Sequence, residues 1–160
     1  MKTLIVYYSL TGTARAVATA LAQELGADIE EIRCTRYAPR LSGVVRAIYD
    51  TWRGNLPPIE PLLRALSLYD LVVVGGPIWA SHPATPVRAF LRQKRSQLPS
   101  VAFFLTHGGS AGERSLGEMQ SLAGLAPKAT LVVREVDVKN GKFASAVSSF
   151  ASKLAKSKAA

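Results

Sequence analysis

The chain has 160 residues with one cysteine, 48% hydrophobic and 19% charged residues, and a formal net charge of +9 with a pI near 10.1. That length suits one well-packed domain, 1–160, and the balance of apolar and charged residues excludes a disordered chain. The lone Cys34 excludes an internal disulfide and fits a reducing, cytoplasmic setting, while apolar runs of strand length exclude a membrane span.

"MKTLIVYY" is too short for a signal-peptide core, and no small-residue cleavage site follows, so it reads as a first strand over 3–8. A helix follows over 14–26, with Val17, Leu21 and Leu25 at four-residue spacing and Gly26 as its C-cap. The alternation in 28–33 predicts a half-exposed second strand. Residues 34–60 are too long for a plain connection in a compact domain, and loops of that length are usually functional. Within them Val44, Val45, Ile48, Tyr49 and Trp52 recur at helical spacing. They predict an amphipathic helix ending near Gly54, which either packs on the domain surface or borders a site. "PLLRAL" (61–66) adds a brief helical pattern.

A third strand is expected over 68–76, and its unbroken run Leu71 to Val74 implies burial on both faces. A helix over 85–95 carries Pro86 in its first turn, where a missing N–H costs nothing. Then come a strand over 100–106, a helix over 112–125 interrupted by Gly117, and a strand over 129–136. The last helix, 142–156, aligns Val147, Phe150 and Leu154, and 157–160 read as a frayed tail. Five strands alternating with helices predict an α/β fold, a doubly wound parallel sheet with helices on both faces.

Ligands of such sheets bind beyond the carboxyl ends of the strands. Three unusual stretches fall there. "SLTGTA" (9–14) opens the first helix with Ser9, Thr11 and Thr13 around Gly12. A helix N-terminus attracts anions, and hydroxyls add donors. Neither the three-glycine dinucleotide fingerprint nor the lysine-ended nucleotide loop is present, so the stretch suits a terminal phosphate monoester. Plain N-capping by Ser or Thr is the alternative. "GGPIWASHP" (75–83) is expected to end the sheet and present Trp79 to the cleft or solvent; the alternative is a core tryptophan folded under the turn. "THGGSAGE" (106–113) lets backbone N–H groups approach a ligand edge, or is an ordinary flexible loop.

With these three stretches in view, the chain resembles the flavodoxin family. "IVYYSLTGTARAVATALA" is similar to its first strand, phosphate loop and first helix, "YDLVVVGGPIWASHPATPVRAFL" to its third strand, flavin-flanking loop and following helix, and "AFFLTHGGSAGE" to its fourth strand and second flavin loop. The resemblance implies a three-layer α/β/α fold with strand order 2-1-3-4-5 and non-covalent FMN. Carried over by position, Ser9, Thr11, Gly12 and Thr13 hold the phosphate, with the Ala14 backbone N–H. Pro77, Ile78, Trp79 and Ala80 flank the isoalloxazine, and Thr106, His107, Gly108 and Gly109 line its other side or pyrimidine end. The family loop usually has asparagine then threonine where this chain has Thr13 then Ala14, so one phosphate hydroxyl is lost unless Thr13 or Arg15 compensates. Segment 34–60 is expected to border the flavin, through Trp52 among others.

Other readings fit less well. Response-regulator receivers share the strand order, but they need acidic groups where Ser9 and Pro77 stand. Cys34 and Arg40 have the spacing of a cysteine-phosphatase loop, yet Pro39 lacks an N–H and no glycine helps the curl; an ordinary thiol is the simpler reading. His82 and His107 lack a matching nucleophile, and no metal-ligand spacing occurs. The basic residues are dispersed, which does not support nucleic acid as a partner. The family resemblance therefore implies an FMN-binding electron-transfer protein serving a redox partner protein. The alternatives are an NAD(P)H-dependent FMN/quinone oxidoreductase and a non-redox binding module on the same fold. Flavodoxin carriers are typically acidic, so a charge of +9 favours an acidic partner or anionic substrate, and Arg40, Arg46 or Arg53 could meet a dinucleotide phosphate. Oligomeric state is not written in the residues.

Overall fold

The computed structural model describes residues 1–38, 40–109 and 112–159, with side chains through Ser157. In chain order the elements are β1 (Thr3–Tyr7), α1 (Thr13–Leu25), β2 (Asp28–Glu31), α2 (Leu41–Arg53), β3 (Leu71–Trp79), β4 (His82–Pro83), α3 (Thr85–Lys94), β5 (Ser100–His107), α4 (Glu113–Ala123), β6 (Thr130–Arg134), α5 (Glu135–Lys139) and α6 (Ala144–Ala159). The long strands lie in the order β2-β1-β3-β5-β6, with β4 paired to β3 alone. All pairings among the long strands are parallel. With the two-residue β4 set aside, this is the anticipated 2-1-3-4-5 order.

Strand alternation divides the core. Leu4, Val6, Val72, Val74, Val101, Phe103 and Leu105 point to one face, where they meet Phe90 and Leu91 of α3 and Met119 of α4. Ile5, Tyr7, Leu71, Val73, Ala102 and Phe104 point to the other, against Val17 and Leu21 of α1 and Phe150 and Leu154 of α6. Phe90, Phe103, Phe104 and Phe150 are fully buried, and each such side chain contributes about 1.5–3 kcal/mol of transfer free energy. Gly75 keeps β3 close to this packing, because a Cβ there would overlap the ring of Phe104.

Several boundaries differ from the sequence expectation. β3 does not stop at Gly76 but runs on, Gly75, Gly76 and Pro77 pairing with Phe104, Leu105 and Thr106. It then turns back through a two-residue hairpin that pairs Trp79 with His82. The hairpin residues Ala80 and Ser81 both have positive φ, 47° and 66°. Two-residue hairpins favour such a turn, but it usually takes Asn or Gly, so "AS" did not announce it. Packing on α4 holds it: Ser115 Oγ donates to Ser81 O at 3.1 Å, and His82 Nδ1 lies 2.6 Å from Glu118 Oε2.

"PLLRAL" is not a helix; only Leu66–Leu68 form a 3-10 turn. The N–H groups of Leu63 and Arg64 are taken instead by the Glu30 carboxylate beside the sheet edge. β6 ends at Arg134 and α5 replaces the expected strand end, with Glu135 and Asp137 in its first turn and Arg134 Nε 2.9 Å from Asp137 Oδ2. Acidic residues favour a helix N-terminus. The expected tail is helical through Ala159, while Ala160 lies outside the described residues.

The amphipathic helix in 34–60 exists as α2, but its apolar stripe faces outward. Gly43, Ala47, Asp50 and Thr51 are its buried residues. Asp50, fully buried, accepts hydrogen bonds from Arg36 Nε at 2.6 Å, Arg36 Nη2 at 3.0 Å, Tyr37 OH at 2.9 Å and Asn55 Nδ2 at 3.2 Å. The Arg36 guanidinium, first, then Asn55 and Tyr37, hold its carboxyl down at about 2 against the opposing effect of burial. A buried carboxylate needs such partners, and these fix which face of α2 turns inward.

Candidate cofactor site

The carboxyl ends of β1, β3 and β5 lie side by side at one edge of the sheet. The loop after β1 begins at Ser9, whose Oγ accepts from the Gly12 N–H at 3.1 Å. Gly12 is the N-cap of α1 at φ 96°, a conformation that other residues reach only with strain. No side chain caps α1, and no acidic residue stands in its first turn. Among the described residues the first N–H groups of the helix therefore have no side-chain acceptor and face an anion favourably. Ser9 serves the turn and does not cap the helix, which separates this loop from plain N-capping.

Ser9, Thr11, Thr13 and Ala14 line a cavity of about 140 Å³ together with Pro77, Ile78, Trp79 and Thr106. The other residues implied by the resemblance, Gly12, Ala80, His107, Gly108 and Gly109, do not line it. Gly108 and Gly109 are exposed, and Ser110 and Ala111 of the same loop lie outside the described residues. A space of this size encloses one end of a ligand; whole-ligand pockets span about 300–1,000 Å³. A larger cavity, about 630 Å³, shares Ser9 and Leu10 with it and continues along β2 past Cys34 and Tyr37.

Trp79 combines the two readings of its loop. It borders the cavity, yet it packs partly buried against the core. Tyr8 and Tyr37 hold it by edge-to-face contacts, with ring centroids 5.6 and 5.3 Å away. Tyr37 is itself fixed by Asp50 and by Thr85 Oγ1 at 2.8 Å. Burial raises its phenol to about 12, with Asp50 adding to this and the Thr85 bond opposing, so it stays a donor at neutral pH.

The floor of the cavity carries an unpaired polar atom. Thr106 is fully buried, and its Oγ1 has no hydrogen-bond partner among the described residues; nor has the buried Nδ1 atom of the half-buried His107. Buried polar atoms without partners are uncommon and point to a missing ligand or water. The cavity is lined both by the uncapped start of α1 and by an orphaned hydroxyl and an indole, groups that suit a phosphate and the edge of an aromatic cofactor extending beyond it.

Three cavity residues were not expected: Leu10, Val44 and Glu135. Glu135 enters because α5 replaces the end of a strand, and an acidic pair after "VVR" was its sequence signal. Val44 is the residue through which 34–60 reaches the cavity; Trp52 is 73% exposed and does not line it. The Arg15 guanidinium is paired with Glu31 at 2.8 Å, and Arg15 does not line the cavity. Burial pushes the Cys34 thiol up, opposite to what a phosphatase nucleophile needs.

No family model matches the chain, and no curated protein matches it. Solved structures do. A flavoprotein from Lactobacillus acidophilus NCFM, solved in complex with FMN, is 27% identical over 87% of this chain and 97% of its own, with a TM-score of 0.71. A flavodoxin, WrbA-like protein from Agrobacterium tumefaciens is 17% identical over 98% of this chain and 97% of its own, at 0.63. Oxidised Flavodoxin 2 from Bacillus cereus is 14% identical over 98% and 99%, at 0.59. The chain has the flavodoxin-like fold, and its structural neighbours are flavoproteins and flavodoxins.

Proposed function

We propose that the chain binds FMN and works as a flavodoxin-like electron-transfer protein. One observation carries the reading: eight residues anticipated in three separate stretches line a single cavity, among them the start of the uncapped α1 and Thr106 with its orphaned hydroxyl. The Lactobacillus flavoprotein, similar over nearly its whole length, was solved with FMN, which supports the same assignment.

In this reading the Thr11 and Thr13 hydroxyls and the first N–H groups of α1 hold the phosphate, while Ser9 shapes the turn that Gly12 makes. Ile78 and Trp79 cover one side of the ring system, kept in place by Tyr8 and Tyr37. Thr106 offers its hydroxyl to the ring edge, with His107, Gly108 and Gly109 at the rim. Bound FMN supplies one- and two-electron redox chemistry; the protein supplies position and electrostatics. The net charge of +9 favours an acidic redox partner or an anionic substrate.

Titration of the isolated protein with FMN and with riboflavin tests this. Saturable quenching of FMN fluorescence, with riboflavin at least about tenfold weaker, is expected from a site that grips the phosphate. A protein that ignores FMN would leave only the non-redox binding reading. Steady NAD(P)H consumption with a quinone and no added reductase would select the oxidoreductase over the carrier.

A further inference from the structure

An amphipathic helix normally buries its apolar stripe. Here α2 does the reverse: Leu41, Val45, Ile48, Tyr49 and Trp52 are 81, 58, 51, 54 and 73% exposed, and Val44, at the cavity wall, is 38% exposed. The orientation is anchored, because the opposite face holds the buried Asp50 and its partners Arg36, Tyr37 and Asn55. The result is an apolar ridge about 20 Å long on the protein surface. At about 100° per residue, Arg46 and Arg53 run along its Tyr49 edge, and Arg40 stands at its start. All three are exposed, and none makes an ion pair among the described residues. Asp50 being buried, every exposed charge from Arg40 to Asn55 is positive.

We propose that this face of α2 docks on an anionic lipid surface, lying in the plane of the interface. The ridge has the make-up such helices need, branched aliphatics with Tyr and Trp on one side and arginines beside them, on a chain of charge +9. A second copy of the chain is disfavoured, since two facing ridges would bring six arginines together. An acidic protein would satisfy the charge, but protein hot spots seat in closely packed pockets. A convex helix face whose side chains stand out into solvent suits a fluid surface. Val44 belongs both to the stripe and to the cavity wall, so docking would bring the cavity mouth to the membrane surface, within reach of a lipid-soluble electron acceptor. That last step rests on the electron-transfer reading; the docking itself does not.

The test is co-sedimentation of the full-length protein with unilamellar vesicles of phosphatidylcholine alone, or of phosphatidylcholine with phosphatidylglycerol. Partition into the anionic vesicles is expected to exceed that into neutral ones by at least about tenfold. The double variant Ile48→Ser and Trp52→Ser keeps the net charge and should lose at least about tenfold of that partition, with its melting curve and FMN titration unchanged. Equal partition of variant and wild type would mean that charge alone drives adhesion, and would overturn the proposal. So would absence of binding to anionic vesicles, which would point to an acidic protein, or a dimer in ultracentrifugation that the two serines dissociate. Vesicle binding is read without the cofactor, so a protein that ignores added FMN yet sediments with vesicles would refute the FMN reading and leave the docking standing.

Discussion

Replacing Asp50 by asparagine tests what holds α2 inside out. The carboxylate is fully buried and receives two bonds from Arg36, one from Tyr37 and one from Asn55. Its carboxyl titrates at about 2 in the folded protein against an ordinary 3.8. A pKa lowered by folding stabilises the native state above the unfolded pKa, and that contribution is lost as pH falls through the folded one. The difference corresponds to about 2 kcal/mol at neutral pH. Breaking a fully buried pair costs about 3–5 kcal/mol, but the Arg36 side chain is 33% exposed and can rehydrate, which keeps the cost near the lower figure. Asp50→Asn should therefore lower the unfolding free energy by about 2 kcal/mol at pH 7, and Tm by roughly 4–8 °C. Urea unfolding at pH 7 and pH 2.5 measures both. The gap between wild type and variant should shrink to about a third at the lower pH. A gap under about 0.5 kcal/mol at pH 7, or one that does not change down to pH 2.5, would refute the role given to Asp50.

Three further outcomes concern the cavity. Gly12→Ala forces a side chain onto φ 96° and should cost about 1–2 kcal/mol of stability, with a weakened FMN affinity by fluorescence titration; an unchanged melting curve would contradict the strain. Thr106→Val removes an unpaired buried hydroxyl at nearly constant shape, so the ligand-free protein should melt no lower than wild type while FMN binding weakens about fivefold or more. A lower melting point with unchanged FMN binding would show that the hydroxyl serves the core. Ala14→Ser returns a hydroxyl to the phosphate end of the cavity and should tighten FMN by several-fold, roughly 1 kcal/mol, leaving riboflavin unaffected; equal gains for both ligands would remove the phosphate from the explanation.

Periodicity and turn chemistry determined much of this protein. The two-residue alternation and the buried run at Leu71 to Val74 specified the parallel sheet, and Gly26 and Pro86 marked helix ends because their backbone constraints are local. That residues of 9–14, Pro77 to Trp79 and Thr106 line one cavity was legible for the same reason: strand ends of a parallel sheet share one edge, so stretches apart in sequence become neighbours in space. Stripe spacing also placed a helix before Gly54, and its C-cap at Gly54 is as expected.

Which way that helix faced was not legible. Its outward apolar stripe follows from Asp50, whose buried charge finds its partners in Arg36, Tyr37 and Asn55, a constellation that spacing along one helix cannot reveal. The hairpin at Ala80 and Ser81 was hidden likewise, since contacts from Ser115 and Glu118 on α4 hold a turn that its own residues disfavour. Glu135 and Val44 joined the cavity only through neighbours distant in sequence. Local backbone preference and hydrophobic period act within one element and can be read along the chain. The pairing of buried charges and the support of strained turns act between elements, and only the tertiary structure decided them.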